Sequence, residues 1–500
     1  MLTHRPAQVL ELLREFTTTP LDDILRHHLA DNPQARALEL FRGVVEQVPA
    51  YCDFLAERGV EPARVTDFAA FQSLPLVDKP NYMQAYPLPR RCRGGELTAC
   101  ERLAVSSGST GIPTFWPRAM ADELDIALRF EQVFRHGFDA HRKQTLAVVC
   151  FPLGNWVGGI FTASCCWHLA LKGYPLTVAT PGNQSAEIWR VVRELAPLFE
   201  QTVLLGYPPF VKDVIDGGAA EGIRWADYAV KMVFAGEVFS EQWRDLMAAR
   251  VGAVRPCYDF ASLYGTADGG VLGNETPLSV AIRRFLSHCP DAARALFGES
   301  RLPTLVQYDP MSRFFELMDG TLVVTGDNGI PLVRYHIADR GGLASHGEMM
   351  EFLRGWGADL QAYGLEPGDR TPALPFVWVF GRADFTVSFY GANVFPENVV
   401  VGLEQPDTKG WVTGKFVMEV RSGADGSEFL HITVELAPEL TETEAMAGIL
   451  ARAILAQLRR LNSEFAHYVP AARQQPVVEL RPFGDPDYFP RGVKHRYTRK

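Results

Sequence analysis

The residues best suited to chemistry stand in a few short runs. The first, residues 106–114, reads "SSGSTGIPT". It has hydroxyls at Ser106, Ser107, Ser109 and Thr110, glycines at Gly108 and Gly111, and a closing Thr114. Glycines let a backbone approach an anion closely, and amides and hydroxyls donate to its oxygens, so such a loop can hold phosphate. It lacks the lysine ending of a Walker loop, and taken alone a Gly/Ser/Thr loop after a strand is often a plain turn. A second Gly-rich turn, "YGTADGG" at 264–270, holds an aromatic and a carboxylate. Farther on, "PLVRYHIADRG" sets Asp339 five residues beyond Arg334, and Lys494 stands six residues from the end.

The elements that must carry these residues fall into three stretches. The first hundred residues look helical, with Val9, Leu12, Leu13 and Phe16 at i, i+3, i+4, i+7. From about Leu103, short apolar runs such as "TLAVVCFPL", "PLTVAT" and "TVLLG" alternate with helical patterns such as "SEQWRDLMAARVG". That alternation predicts a parallel sheet with helices on its faces and ligands beyond the carboxyl ends of the strands. The pattern turns strand-rich from "TLVVTGDNG", and a new α+β pattern follows "GRADF". The expected fold class is α/β. It comprises a large N-terminal α/β domain of layered sheets and helices (1–383, with the helical lead-in to about 100) and a small α+β domain from Asp384 to the end.

A chain of 500 residues is too long for one ordinary core. A net charge of −10 argues against nucleic acid as the main partner. The eight cysteines form no CxxC pair and no zinc-ligand spacing, so Cys165 and Cys166 read as reduced core thiols. No signal peptide or membrane span is visible, and a cytoplasmic location with no membrane partner is the expectation.

In combination and in order, "LPLVDK", "SSGSTGIPT", "GE" at Gly236–Glu237, "YGTAD", "PLVRYHIAD", "GRADF" and "GANVFPEN" cover most of the chain. The set resembles the adenylate-forming superfamily, and most of all its phenylacetate–CoA ligase branch. The resemblance implies a mobile C-terminal domain. It also implies activation of a carboxylic acid by ATP to an acyl-adenylate and pyrophosphate, then transfer to coenzyme A. It assigns Ser106, Ser107, Gly108, Ser109, Thr110, Gly111 and Thr114 to the β- and γ-phosphates. Gly236, Glu237, Tyr264 and Gly265 go to the adenine side, with Tyr264 flat against the ring, and Asp339 to both ribose hydroxyls. Arg382 is assigned to ribose or phosphate, Thr266 and Asp268 to catalysis with Mg²⁺ on Asp268, Asp384 to the hinge, and Lys494 to the α-phosphate. Three departures stand out: Ala267 where threonine is common, Asp268 where the family usually has glutamate, and "GVKHR" where "GK" is usual, which makes Arg496 and Lys500 rivals of Lys494.

Family geometry would draw the walls of the acid pocket from Phe151, Trp156, Phe161, Tyr207 and Phe260, which suit an aromatic or otherwise flat acid. The acceptor stays open between coenzyme A, an amine or amino acid, and a carrier-protein thiol. A nucleotide-binding protein without turnover is the alternative from another class.

Overall fold

The computed structural model describes residues 5–105, 114–155, 157–236, 238–299, 301–382, 387–390, 392–422, 428–462, 465–466, 469–490 and 495–499. Helices Arg5–Thr18, Leu21–Ala30, Pro33–Gln47 and Pro49–Glu57 form the lead-in. The third begins where Asn32 accepts from the amides of Gln34 and Ala35, with Pro33 pre-set for the first turn. Strands β1 (Arg102–Val105) and β2 (Phe115–Arg118) pair antiparallel on either side of residues 106–113.

The main sheet has eleven strands among the described residues. β3 (Thr145–Val149), β4 (Leu176–Ala179), β5 (Gln201–Gly206), β6 (Val230–Ala235) and β7 (Phe260–Thr266) run parallel in the order β4-β3-β5-β6-β7. β3 and β5 are buried along their whole length, as "TLAVV" and "QTVLLG" require with helices on both faces. One face is covered by Met120–Gln132 and Val157–Leu171, the other by Ser185–Leu195, Pro208–Ala220 and Glu241–Val251. Cys165 and Cys166 are core thiols, and burial pushes Cys166 up to about 12.

The expectation of a parallel sheet holds only for this half. β8 (Gly270–Asn274), β9 (Thr304–Gln307), β10 (Arg313–Met318), β11 (Thr321–Gly326), β12 (Leu332–Ala344) and β13 (Phe376–Arg382) extend it antiparallel. The links β7–β8, β10–β11 and β11–β12 are only a few residues long, and such turns cannot make the crossover a parallel pair needs. The lead-in packs Phe41, Tyr51 and Phe54 in one core with Phe315, Leu322 and Tyr335 of this antiparallel half.

Past residue 386, β14 (Val387–Phe389) and β15 (Ala392–Val394) form a hairpin. β16 (Val412–Ser422), β17 (Glu428–Leu436) and β18 (Val477–Arg481) form a separate sheet. With helices Pro396–Leu403 and Glu444–Leu461 they enclose a core of their own around Phe389, Phe416, Ile432 and Ile454. No described helix is long and apolar enough to cross a membrane.

Candidate active site

β7 runs into β8 through a tight turn at residues 267–269, and this turn is braced from two sides. The Thr266 hydroxyl accepts from the Gly269 amide at 3.0 Å. Arg118, at the end of β2, donates to the carbonyls of Ala267 and Asp268. Arg313, at the start of β10, donates to the Gly269 carbonyl at 3.2 Å, to Asp125 at 3.0 Å and to Asn328 at 2.9 Å. Both arginines are almost wholly buried, so the turn sits among fixed positive charges. Gly270 has φ +75°, and a Cβ there would come within 2.3 Å of Ile126, so no side chain fits.

The turn presents Asp268, whose carboxylate is buried. Tyr335 of β12 donates to its Oδ2 at 2.5 Å, and the Lys79 ammonium lies 3.3 Å from the same oxygen. Lys79 arrives on "LPLVDKP". Val77 bonds to β12 as a short parallel bridge, Val77 N to Arg334 O at 3.2 Å and His336 N to Val77 O at 2.8 Å. Asp78 and Asn81 then cap each other's backbone at 2.7 and 2.8 Å, which turns the chain and delivers Lys79. Arg334 takes a structural part, paired with Glu316 at 3.1 Å.

Tyr264 and Asp339 are joined directly: the phenol donates to Asp339 Oδ2 at 2.6 Å. Burial and the neighbouring carboxylate hold the Tyr264 phenol well above the usual tyrosine range. Asp339 follows Ala338, whose φ of +65° is uncommon for a residue with a Cβ, and it pairs in register with Arg382 of β13. Tyr264 and Thr266 of β7 and Asp268 of its turn are thus brought to the middle of β12, where Asp339 and Tyr335 stand. Asp268 is a carboxylate on the turn that could ligate a cation, and its contacts with Tyr335 and Lys79 use Oδ2. Among the described residues no group of three metal-ligating side chains forms. Magnesium held mainly through phosphate oxygens needs only one such carboxylate, so the donor set fits that mode.

On the other side of Gly236 (φ +86°), Tyr207 packs so closely that a Cβ on Gly236 would meet its ring at 2.8 Å. Phe151 meets Tyr207 edge to face at 4.9 Å, and Gly158 leaves room beside both. Phe161 is buried on the same sheet face as Phe151, with the Arg118 guanidinium 5.9 Å from its ring. Phe260 is a correction. It lies on the opposite face of the sheet from Phe151, stacked at 6.4 Å on Phe234 and 1% exposed, and packs in the core there. Ser106, Ser107, Gly108, Ser109, Thr110, Gly111, Trp156, Glu237, Asp384, Lys494 and Lys500 lie outside the described residues, as does the Arg382 side chain. Thr114 stands half-buried just before β2. Downstream of Lys494, His495 is anchored by Nε2 to the Phe416 carbonyl at 2.7 Å, and burial lowers its imidazole to about 4.

Lys79, Arg118, Arg313 and Tyr335 were not legible as site residues. Each comes from a segment remote in sequence from the turn it serves.

No family model and no curated protein matches the chain. Solved structures do. A 2-hydroxyisobutyryl-CoA ligase in its postadenylation state, with R3-HIB-AMP, aligns over 94% of this chain and 88% of its own, at 14% identity and a TM-score of 0.66. The same ligase with 2-HIB-AMP and CoA in its thioesterification state aligns over 97% and 91%, at 15% identity and a TM-score of 0.53. At such identities the likeness is one of fold.

Proposed function

We propose that this chain, which has the fold of the adenylate-forming ligases, joins ATP to a small carboxylic acid and passes the acyl group to coenzyme A. In the first step an oxygen of the acid attacks the α-phosphorus, the bond to the β-phosphate breaks, and pyrophosphate leaves. In the second, a thiol sulfur attacks the acyl carbon and AMP departs. The observation that carries this reading is the Tyr264–Asp339 pair set beside the braced turn of Asp268 and Lys79. One carboxylate is disposed to accept hydroxyls, and a cationic cluster adjoins it.

Asp339 has acceptor capacity for both ribose hydroxyls even with Tyr264 bonded, since a carboxylate offers about four lone-pair sites. The phenol then fixes the carboxylate's rotation, while the Tyr264 ring serves the adenine side with Gly236, Glu237 and Gly265. Lys79 and the residues of 106–114 are assigned to the phosphates, where preorganised cations and donors stabilise charge as it develops. Magnesium, when bound, would neutralise the leaving pyrophosphate, and Asp268 would hold it with Thr266 keeping the turn in shape. Lys494 is the proposed α-phosphate cation on the C-terminal domain, and Arg382 a ribose or phosphate contact. Phe151, Tyr207 and Trp156 are the proposed walls for a flat acid. The better superposition on a postadenylation state than on a thioesterification state supports an adenylating arrangement of the two domains in this structure.

With ATP, Mg²⁺ and a panel of aryl and alkyl acids, the protein should release AMP and pyrophosphate, and consume CoA only when an acid is present. Release of ADP and free phosphate would refute the reading; adenylation without CoA consumption would move the acceptor to an amine or a carrier protein.

A further inference from the structure

Arg301 is 2% exposed and stands outside every site described so far. Its guanidinium carbon lies 4.4 Å from the ring centre of Phe380 and 3.7 Å from that of Phe395. Its Nε reaches Glu299 at 2.9 Å, and its Nη1 reaches Glu397 at 3.1 Å. Phe380 lies in β13 of the large sheet, two residues before its end, whereas Phe395 and Glu397 open the helix Pro396–Leu403 of the C-terminal unit. One cation is therefore held by a ring and a carboxylate from each side of the segment that contains Asp384. Arg340, next to Asp339, adds to the cluster: it lies 3.7 Å from Glu299, and its guanidinium is 5.9 Å from the Phe395 ring.

We infer that Arg301 is a positioning residue that clamps the C-terminal domain in the adenylating orientation through Phe395 and Glu397. The inference rests on the reading above for what that orientation does. A planar guanidinium can stack on two rings and still bond carboxylates at its edges, which an ammonium cannot. A swing of the C-terminal domain would strip away Phe395 and Glu397 but leave Phe380 and Glu299. The cation would then keep half its partners in either state, which makes a reversible clamp rather than a permanent weld. Arg340 ties the clamp to β12, so the strand that bears the ribose carboxylate and the domain joint share one charge cluster.

The test uses the full chain with Arg301→Ala, Arg301→Lys and Glu397→Gln, and reads limited trypsin cleavage in the 381–386 segment beside the two half-reactions. Arg301→Ala should raise the cleavage rate about tenfold or more. It should also lower ATP–pyrophosphate exchange by a similar factor, while transfer from a supplied acyl-adenylate falls much less. Arg301→Lys should behave like Ala, because charge without a plane is not enough, and Glu397→Gln should lie between. Wild-type cleavage in Arg301→Ala, or full rescue by lysine, would overturn the clamp. Should Arg301→Ala fail to fold, Glu397→Gln decides alone, and wild-type cleavage there would overturn it. If the protein shows no exchange with any acid, the functional reading fails, yet cleavage still decides whether Arg301 holds the domains.

Discussion

Two buried arginine clusters do opposite work in this molecule. At the 267–269 turn, Arg118 and Arg313 spend their donors mostly on backbone carbonyls of a single domain. At the joint, Arg301 is shared between side chains that belong to two bodies. A guanidinium bonded to the carbonyls of its own domain has nowhere to go, because opening the turn would leave several buried polar groups unpaired at once. A guanidinium held half by each body can change partners for the loss of only half its contacts. The first arrangement makes a brace, the second a joint. The proposed function would need both: a nucleotide platform that does not move, and a second domain that does.

The largest effect should come from breaking the brace. Arg118→Ala would strand the carbonyls of Ala267 and Asp268 and remove the cation that opposes burial at Asp122, whose carboxyl burial already pushes up to about 6. Losing one partner of a buried polar set costs about 3–5 kcal/mol. A urea titration should show that loss together with absent nucleotide binding. A wild-type midpoint would mean the turn holds itself and the contrast with the joint is false.

The next effect lies on the platform. Asp339→Ala should weaken ATP binding by about 2–3 kcal/mol, the scale of one or two hydrogen bonds to a charged acceptor. Tyr264→Phe, which removes only the phenol that orients the carboxylate, should cost about 1 kcal/mol. Calorimetric titration of both folded variants gives the ratio. Equal losses would show that Asp339 depends on Tyr264 for its aim, and the platform would be less rigid than the brace implies.

What could be read from residue order follows the same division. Tyr264, Asp268 and Asp339 were legible because each falls in a motif, "YGTAD" or "PLVRYHIAD", that the family resemblance assigns to the nucleotide. The parallel half, β3 to β7, was legible from its unbroken apolar runs. Lys79, Arg118 and Arg313 were not, because a brace is made by segments far apart in the chain, 150 positions for Arg118 and Asp268 and 44 for Arg313 and Gly269, and a single sequence carries no record of which carbonyl an arginine meets. Phe260 was misplaced for a different reason. An aromatic in a strand buried on both faces gives no sign of which face it takes, and this one points at Phe234 and Trp243 instead of toward Phe151. Arg301 had no motif at all; only the meeting of two domains gives it a role.

The smallest effect belongs to the joint, and it is set by pH. Ser240, which caps the helix Glu241–Val251, donates its hydroxyl to Glu404, at the end of the helix Pro396–Leu403, so the bond crosses the seam. Burial pushes the Glu404 carboxyl up from 4.5 to about 8, with Glu241 adding to the rise, against the Ser240 bond and the charges of Arg283 and Lys212. A raised value means that the docked state favours the protonated acid. Its contribution to docking is therefore full below about 4.5 and is lost as pH rises through about 8. Between pH 7 and pH 9 the carboxyl ionises in the seam, and docking should loosen. The side chain is only half-buried, so water screens part of the penalty and the change should be a few-fold, below that of Arg301→Ala. Glu404→Gln keeps the group neutral at every pH. The ratio of wild-type to Glu404→Gln cleavage in the 381–386 segment should therefore rise from pH 7 to pH 9, with trypsin's own pH dependence cancelling. Arg118→Ala, made alone and compared with its own Glu404→Gln double variant, should leave that pH trend untouched if the variant folds, since the brace lies within one domain. A flat ratio across the range would place the joint's strength in Arg301 and the Lys415–Asp213 pair, 3.0 Å apart, and remove Glu404 from it.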